Sequence, residues 1–205
     1  MVILLGITVN AHFLFAQSWQ PLTLHEKFNY SVDTVGLITR TLRVDSVKVV
    51  NGDSLFYLNR IVTGCDTCSD TAYRLCNQAT FLGKEMVKKA GGLFWFRSPG
   101  SLVVKSFANT GQTWLYDTLN NIQAQVVQKS FEPVFGINDS IKQIQLSNGK
   151  TLLLSKSFGF IQFQESGMDY QLEGIEGRNL GQQVPLFRDI SVSYTHLTLP
   201  TNREV

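Results

Sequence analysis

Three cysteines, Cys65, Cys68 and Cys76, fall within twelve residues and form the densest group of reactive side chains in the chain. A Cys-x-x-Cys pair such as Cys65-Asp66-Thr67-Cys68 does redox work when it opens a helix inside a thioredoxin-like βαβ unit, and nothing in the flanking sequence supplies that unit. A structural zinc site needs four ligands, and neither a fourth cysteine nor a neighbouring histidine is present. In an exported protein the ordinary outcome is an oxidised pair that pins a loop, which leaves one odd thiol. Spacing alone does not say which two of Cys65, Cys68 and Cys76 pair.

Histidine chemistry is nearly absent. Setting aside the first residues and the last, only His25 remains, which excludes multi-histidine metal sites and makes any Ser-His or Cys-His catalysis depend on one residue. Paired carboxylates can do acid/base work without histidine. The best placed are Glu173 and Glu176, flanking Gly174 in Leu172-Glu173-Gly174-Ile175-Glu176-Gly177, and they read as turn and rim charges. Gly174, Gly177 and Gly181 lack the spacing of a phosphate-binding loop. No catalytic residue, metal ligand or cofactor site is therefore assigned from sequence.

Aromatic residues make up 11% of the chain. Phe94, Trp95 and Phe96 are consecutive and must face both sides of a strand, whereas Trp114 and Tyr116 share a face. Core packing explains most of them; an apolar or sugar-binding concavity is the sharper alternative.

The elements that would carry these groups are strands. Asn51-Gly52 and Asn148-Gly149 each sit between β-branched and aromatic stretches, the signature of a hairpin closed by a type I′ turn. Ser98-Pro99-Gly100 and Ala90-Gly91-Gly92 predict two further turns. Ile122, Ala124 and Val126 alternate with Gln123, Gln125 and Val127. Leu42 and Val44 take one phase and Val47 and Val49 the other, so a bulge is predicted near Asp45-Ser46. The one helix candidate is Ser69 to Asn77. The expectation is an all-β domain, an antiparallel curved sheet or incomplete barrel built from hairpins, with a loop or helix insert around residues 63–83.

Composition narrows the partners. The 205 residues are 43% apolar and 17% charged with a formal net charge of +2, which suits one cored domain and gives no field directed at nucleic acid. The run Lys84 to Lys89 is interrupted by Glu85 and reads as a solvated face. The apolar run Val2 to Val9, extended by Phe13-Leu14-Phe15 and ended by Ala16, predicts a signal peptide over residues 1–16, too short and polar for a transmembrane span. The compartment expected is the periplasm, the cell surface or the extracellular space, with a partner from the envelope or outside it.

At the other end, Val192 to Thr201 back-translates to a string that resembles the transposase adapter of sequencing libraries, so residues 191–205 are expected to be an artefactual tail. The domain expected between the two ends is 17–190.

One short pattern recurs: Asp33-Thr34-Val35, Asp45-Ser46-Val47, Asp53-Ser54-Leu55, Asp70-Thr71-Ala72, Asp117-Thr118-Leu119 and Asp139-Ser140-Ile141. Asp-Ser/Thr can end a turn where an aliphatic residue begins a strand. The pattern also resembles the O-glycosylation acceptor of Bacteroidetes envelope proteins, which would place glycans on Thr34, Ser46, Ser54, Thr71, Thr118 and Ser140. Further stretches, among them Ala108-Asn109-Thr110-Gly111-Gln112-Thr113-Trp114, Gly136-Ile137-Asn138-Asp139-Ser140-Ile141-Lys142 and Leu154-Ser155-Lys156-Ser157-Phe158-Gly159-Phe160-Ile161, resemble secreted Bacteroidetes proteins of the type IX secretion, sorting-domain kind. That resemblance implies a truncated surface protein and carries over no functional residue. Ser155 to Phe163 resembles the closing strand of periplasmic lipid-carrier half-barrels. Three readings follow: a non-catalytic N-terminal module of a secreted or surface protein, a half-barrel carrier of a lipid or other apolar ligand, and a secreted hydrolase using Glu173, Glu176 or His25.

Overall fold

A computed structural model of the chain describes residues 19–32, 36, 38–64, 73–77, 80, 82–165 and 167–184. The predicted signal peptide, the predicted tail, Thr34, Thr71, and Cys65 and Cys68, at least one of which any pairing of the three cysteines would use, all lie outside the described residues.

The described chain is built from β-strands: β1 (Lys27–Val32), β2 (Arg40–Val50), β3 (Asp53–Leu58), β4 (Arg60–Gly64), β5 (Tyr73–Asn77), β6 (Glu85–Lys89), β7 (Leu93–Arg97), β8 (Ser101–Lys105), β9 (Thr113–Asp117), β10 (Ile122–Val134), β11 (Ile137–Leu146), β12 (Thr151–Ser155), β13 (Gly159–Glu165), β14 (Met168–Glu176) and β15 (Leu180–Gly181). Each strand of the main sheet pairs antiparallel with the next in line, β1-β2-β3-β6 and so on to β14, and β14 returns to pair with β1. The result is an up-and-down, barrel-like sheet of twelve strands, with β15 a short extension on β14. Closure leaves no terminal strand exposed along its whole length; β10 keeps a free edge where it outruns β9 beyond Val126.

Three turns take the expected form. Asn51 and Gly52 both have positive φ (52° and 84°), the type I′ geometry that joins β2 to β3. A single 3-10 turn at Ala90–Gly92 joins β6 to β7, and Ser98-Pro99, with a cis peptide, joins β7 to β8. The bulge predicted near Asp45-Ser46 is present: the β2–β3 register shifts between Val44 and Ser46, which puts Val44 opposite Leu58 and Val47 opposite Phe56 on one face. The hairpin tip nonetheless runs past the core, so Val49 stays 70% exposed.

Two expectations are corrected. Asn148-Gly149 does not make a type I′ turn. Leu146 O accepts from Gly149 N at 3.0 Å, Leu146 N donates to Lys150 O at 2.8 Å, and only Gly149 has positive φ. That is a three-residue loop, a type I turn closed by a left-handed glycine. The helix candidate Ser69 to Asn77 is also overturned in its second half. Tyr73–Asn77 is strand β5, paired with β4 in a separate two-stranded sheet, because ladder partners nine to seventeen residues away outweigh a marginal local preference.

The interior is filled by side chains. Phe28 and Tyr30 of β1, Phe94 and Phe96 of β7, and Phe160 and Phe163 of β13 are each at most 2% exposed. One end is crossed by the segment before β1. Trp19 lies over Lys142 of β11, Gln20 accepts from Lys88 of β6, and Leu24 bridges to Val44 of β2. Leu22, within the segment, is fully buried. Gly159 of β13, at φ +72°, faces Pro21, and a Cβ there would stand 2.1 Å from the Pro21 carbonyl oxygen. Only glycine lets the segment lie so close.

Candidate functional site

The strand β7 sorts its consecutive aromatics by simple alternation. Phe94 and Phe96 point inward, and Trp95 points out, in register with Val87 on β6 and Val103 on β8; Val87 in turn pairs with Leu55 on β3. An apolar row, Leu55-Val87-Trp95-Val103, therefore runs across four strands of the outer face. Charged rows flank it. On one side Glu85 pairs with Arg97, and on the other Lys89 faces Leu93 and Leu93 faces Lys105.

Trp95 is held from three directions. Its indole N–H donates to Ser101 Oγ at 3.0 Å, the Arg97 guanidinium lies 5.3 Å from the ring centroid, and Lys89 Nζ lies 5.6 Å from it. Ser101 Oγ also meets Thr118 Oγ1 at 2.5 Å. Arg97 is fixed by its bond to Glu85 at 2.7 Å. Its Nε–H is buried and meets no acceptor among the described residues. The groove beside the ring, of about 530 Å³, is lined by Lys84, Trp95, Arg97, the Ser98–Ser101 turn and Leu119, which is 68% exposed. Lys84 is placed there by its neighbour. A Cβ on Gly83 (φ +104°) would stand 2.3 Å from Arg97 O, so only glycine brings this segment against the turn, where Lys84 N donates to Arg97 O and Ser98 O.

Of the sequence candidates, His25 and Glu176 line one groove of about 500 Å³, while Glu173 is engaged elsewhere, accepting from Ser31 Oγ at 2.7 Å and Gly36 N at 2.8 Å. Glu176 Oε1 accepts from Lys27 Nζ at 3.0 Å, Asn29 Nδ2 at 3.0 Å and Val184 N at 3.1 Å. Burial would raise its carboxyl, but the bonds from Asn29, Lys27 and Val184 and the charge of Lys27 outweigh that and hold it below the ordinary value. A carboxylate so held is a poor proton donor. It is instead a stability device at the β1–β14 seam. The stability it contributes is present above the ordinary carboxylate pKa, about 4, and is lost as pH falls through its lowered folded value. Glu176→Gln is expected to make acid unfolding less steep below pH 4, as read by denaturant titrations across that range.

The acidic members of the Asp-Ser/Thr pattern mostly do local structural work. Asp117 accepts from Leu119 N, Asn120 N and Asn120 Nδ2 and shapes the β9–β10 turn. Asp139 accepts from Ser155 Oγ, Ser157 N and Ser157 Oγ and pins the β12–β13 turn. Thr118 is exposed; Ser46, Ser54 and Ser140 are half-buried. Cys76 lies on β5. Trp114 and Tyr116 are core residues, as their shared phase predicts. Sequence reasoning did not gather Lys84, Lys89 and Arg97 around Trp95. The signal was available: Arg97 is two residues on from Trp95, and a strand puts both on one face.

No known protein family, curated protein or solved structure matches the chain.

Proposed function

We propose that this chain is a non-catalytic module of a secreted or cell-surface protein and that it meets its partner through the outer face centred on Trp95. The observation that carries the reading is the immobilised indole. An aromatic ring tied by a hydrogen bond and two cations, beside an open groove, contributes contact area without further loss of side-chain freedom on binding. The non-catalytic half is supported by Glu173 and Glu176, whose carboxylates are already committed to structural hydrogen bonds. The apolar-ligand carrier reading asks for room inside the barrel, where Phe28, Phe94, Phe96, Phe160 and Phe163 now pack. Export to the periplasm, the surface or the medium, and glycans on the Asp-Ser/Thr motifs, belong to the same reading and rest on the sequence.

The test is a panel of immobilised neutral and acidic polysaccharides and acidic and basic peptides, probed with wild type and Trp95→Ala. At least one polymer should retain wild type and release the variant, with a loss of about tenfold or more in affinity, the size expected for a central aromatic anchor. A panel on which the two proteins behave identically overturns the reading.

A further inference from the structure

The groove beside Trp95 has a chemical bias of its own. Its lining holds two cations, Lys84 and Arg97, the second already bonded to Glu85 outside the groove, and no carboxylate, and its apolar surfaces are Trp95 and Leu119. The backbone of β7 is consumed on both sides by the β6–β7 and β7–β8 ladders, so an extended peptide finds no strand edge beside Trp95. Recognition must come from side chains: an apolar ring surface, a guanidinium 5.3 Å from its centre, and a second cation across the Ser98–Ser101 turn. The buried Arg97 Nε–H without an acceptor is an unmet donor of the kind that an anionic oxygen can answer after a small shift of the side chain.

We propose that this groove binds an acidic polysaccharide, a polymer of uronic acid units. A uronate carries a C–H face and a carboxylate on one pyranose ring, within one ring's width of each other, and so can meet Trp95 and Arg97 together. A neutral glycan leaves the cations unused, and an acidic peptide leaves the indole without a ring to stack on. The assignment rests on the binding-module reading and adds the ligand class to it.

Isothermal titration of the full chain with polygalacturonate, dextran and polyglutamate tests it. Polygalacturonate should bind and weaken as salt is raised, because the lysine contact at the open groove is screened. Trp95→Ala should cost about tenfold or more. Lys84→Gln, a surface change that spares the fold, should cost a few-fold and flatten the salt dependence. Equal binding of polyglutamate would show that charge alone is read and would overturn the glycan assignment. Binding of dextran but not polygalacturonate, lost in Trp95→Ala, would overturn the acidic class and leave the binding module standing. Absence of polygalacturonate binding overturns the proposal, and so does polygalacturonate binding unchanged in both variants, which in addition moves the binding surface away from Trp95.

Discussion

Replacing Lys142 with Met is expected to stabilise the protein at neutral pH and to abolish an alkaline rise in stability that the wild type should show. Lys142 is in phase with Ile144 and Leu146 on β11 and points into the barrel, where it is 2% exposed. Its Nζ donates to the Ser106 carbonyl at 2.5 Å and sits 4.1 Å from the centre of the Trp19 ring, and no carboxylate pairs with it among the described residues. A lysine this deep is nearly always paired. Desolvation, helped by the nearby positive charge of Lys129, lowers its pKa from 10.5 to about 8.

The sign follows directly. Between about pH 8 and pH 10.5 the unfolded chain holds a proton on this lysine that the folded chain has released, so stability rises with pH across that window. The full effect is on the order of 3 kcal/mol. Tyr30 opposes it from above. Burial raises its hydroxyl pKa far above the ordinary value of 10, so beyond that pH ionisation favours the unfolded chain. Wild-type stability should therefore climb from pH 8, peak near pH 10 and fall. Lys142→Met gives up the cation–π contact with Trp19 and one hydrogen bond, but it also removes the charge, and a net gain of about 1–3 kcal/mol is expected at pH 7. Denaturant titrations from pH 7 to 11 decide the matter. A wild-type curve flat to pH 10 with a destabilised Lys142→Met would mean that the lysine is solvated and not buried beneath Trp19.

How far the architecture was legible follows from the range of the forces involved. Two-residue alternation is local, so the β10 phase, the bulge at Asp45-Ser46 and three of the four turns can be read from neighbours alone. The pairing of Lys27–Val32 with Met168–Glu176 has no local signature. Strands that distant find each other through Phe28, Tyr30 and Ile175 in a shared core, and this is what turns a curved sheet into a closed one. The segment Trp19–Leu24 has no strand periodicity, and its place depends on a gap that only Gly159 leaves open. At the candidate site, the outward Trp95 was implicit in three consecutive aromatics, whereas Lys84 and Lys89 looked like a solvated run. Their role depends on β7 being the neighbour of β6 in the sheet, which brings Trp95 and Arg97 beside them. Lys142 could have been suspected from its phase with Ile144 and Leu146. A lysine in a core phase is easily passed over as a break in the pattern, because burying one is costly.

Phe163→Ala should be the most damaging single truncation in this barrel. Phe163 is 1% exposed, stacks on Tyr170 at 4.8 Å with an interplanar angle of 8°, meets Tyr30 edge-on at 5.6 Å and leans on Phe160 at 5.5 Å. One ring thus links β13, β14 and β1, the strands at the closing seam. Its loss removes the transfer energy of a buried aromatic and leaves a cavity whose walls are themselves rigid rings. About 3–5 kcal/mol is expected, at least a fifth of the stability of an ordinary domain, which is about 5–15 kcal/mol. Phe131→Ala is the counterpart. Phe131 is 69% exposed on the projecting part of β10, where Lys129, Glu132 and Pro133 blunt the free edge, and its loss should change stability by no more than about 0.5 kcal/mol. Denaturant midpoints at constant m-value measure both. Similar costs for the two variants would mean that the inside and outside of the sheet are misassigned. If the assignment holds, amide exchange in Phe163→Ala should quicken first in Lys27–Val32, because that strand closes the barrel and owes its place to the rings behind it.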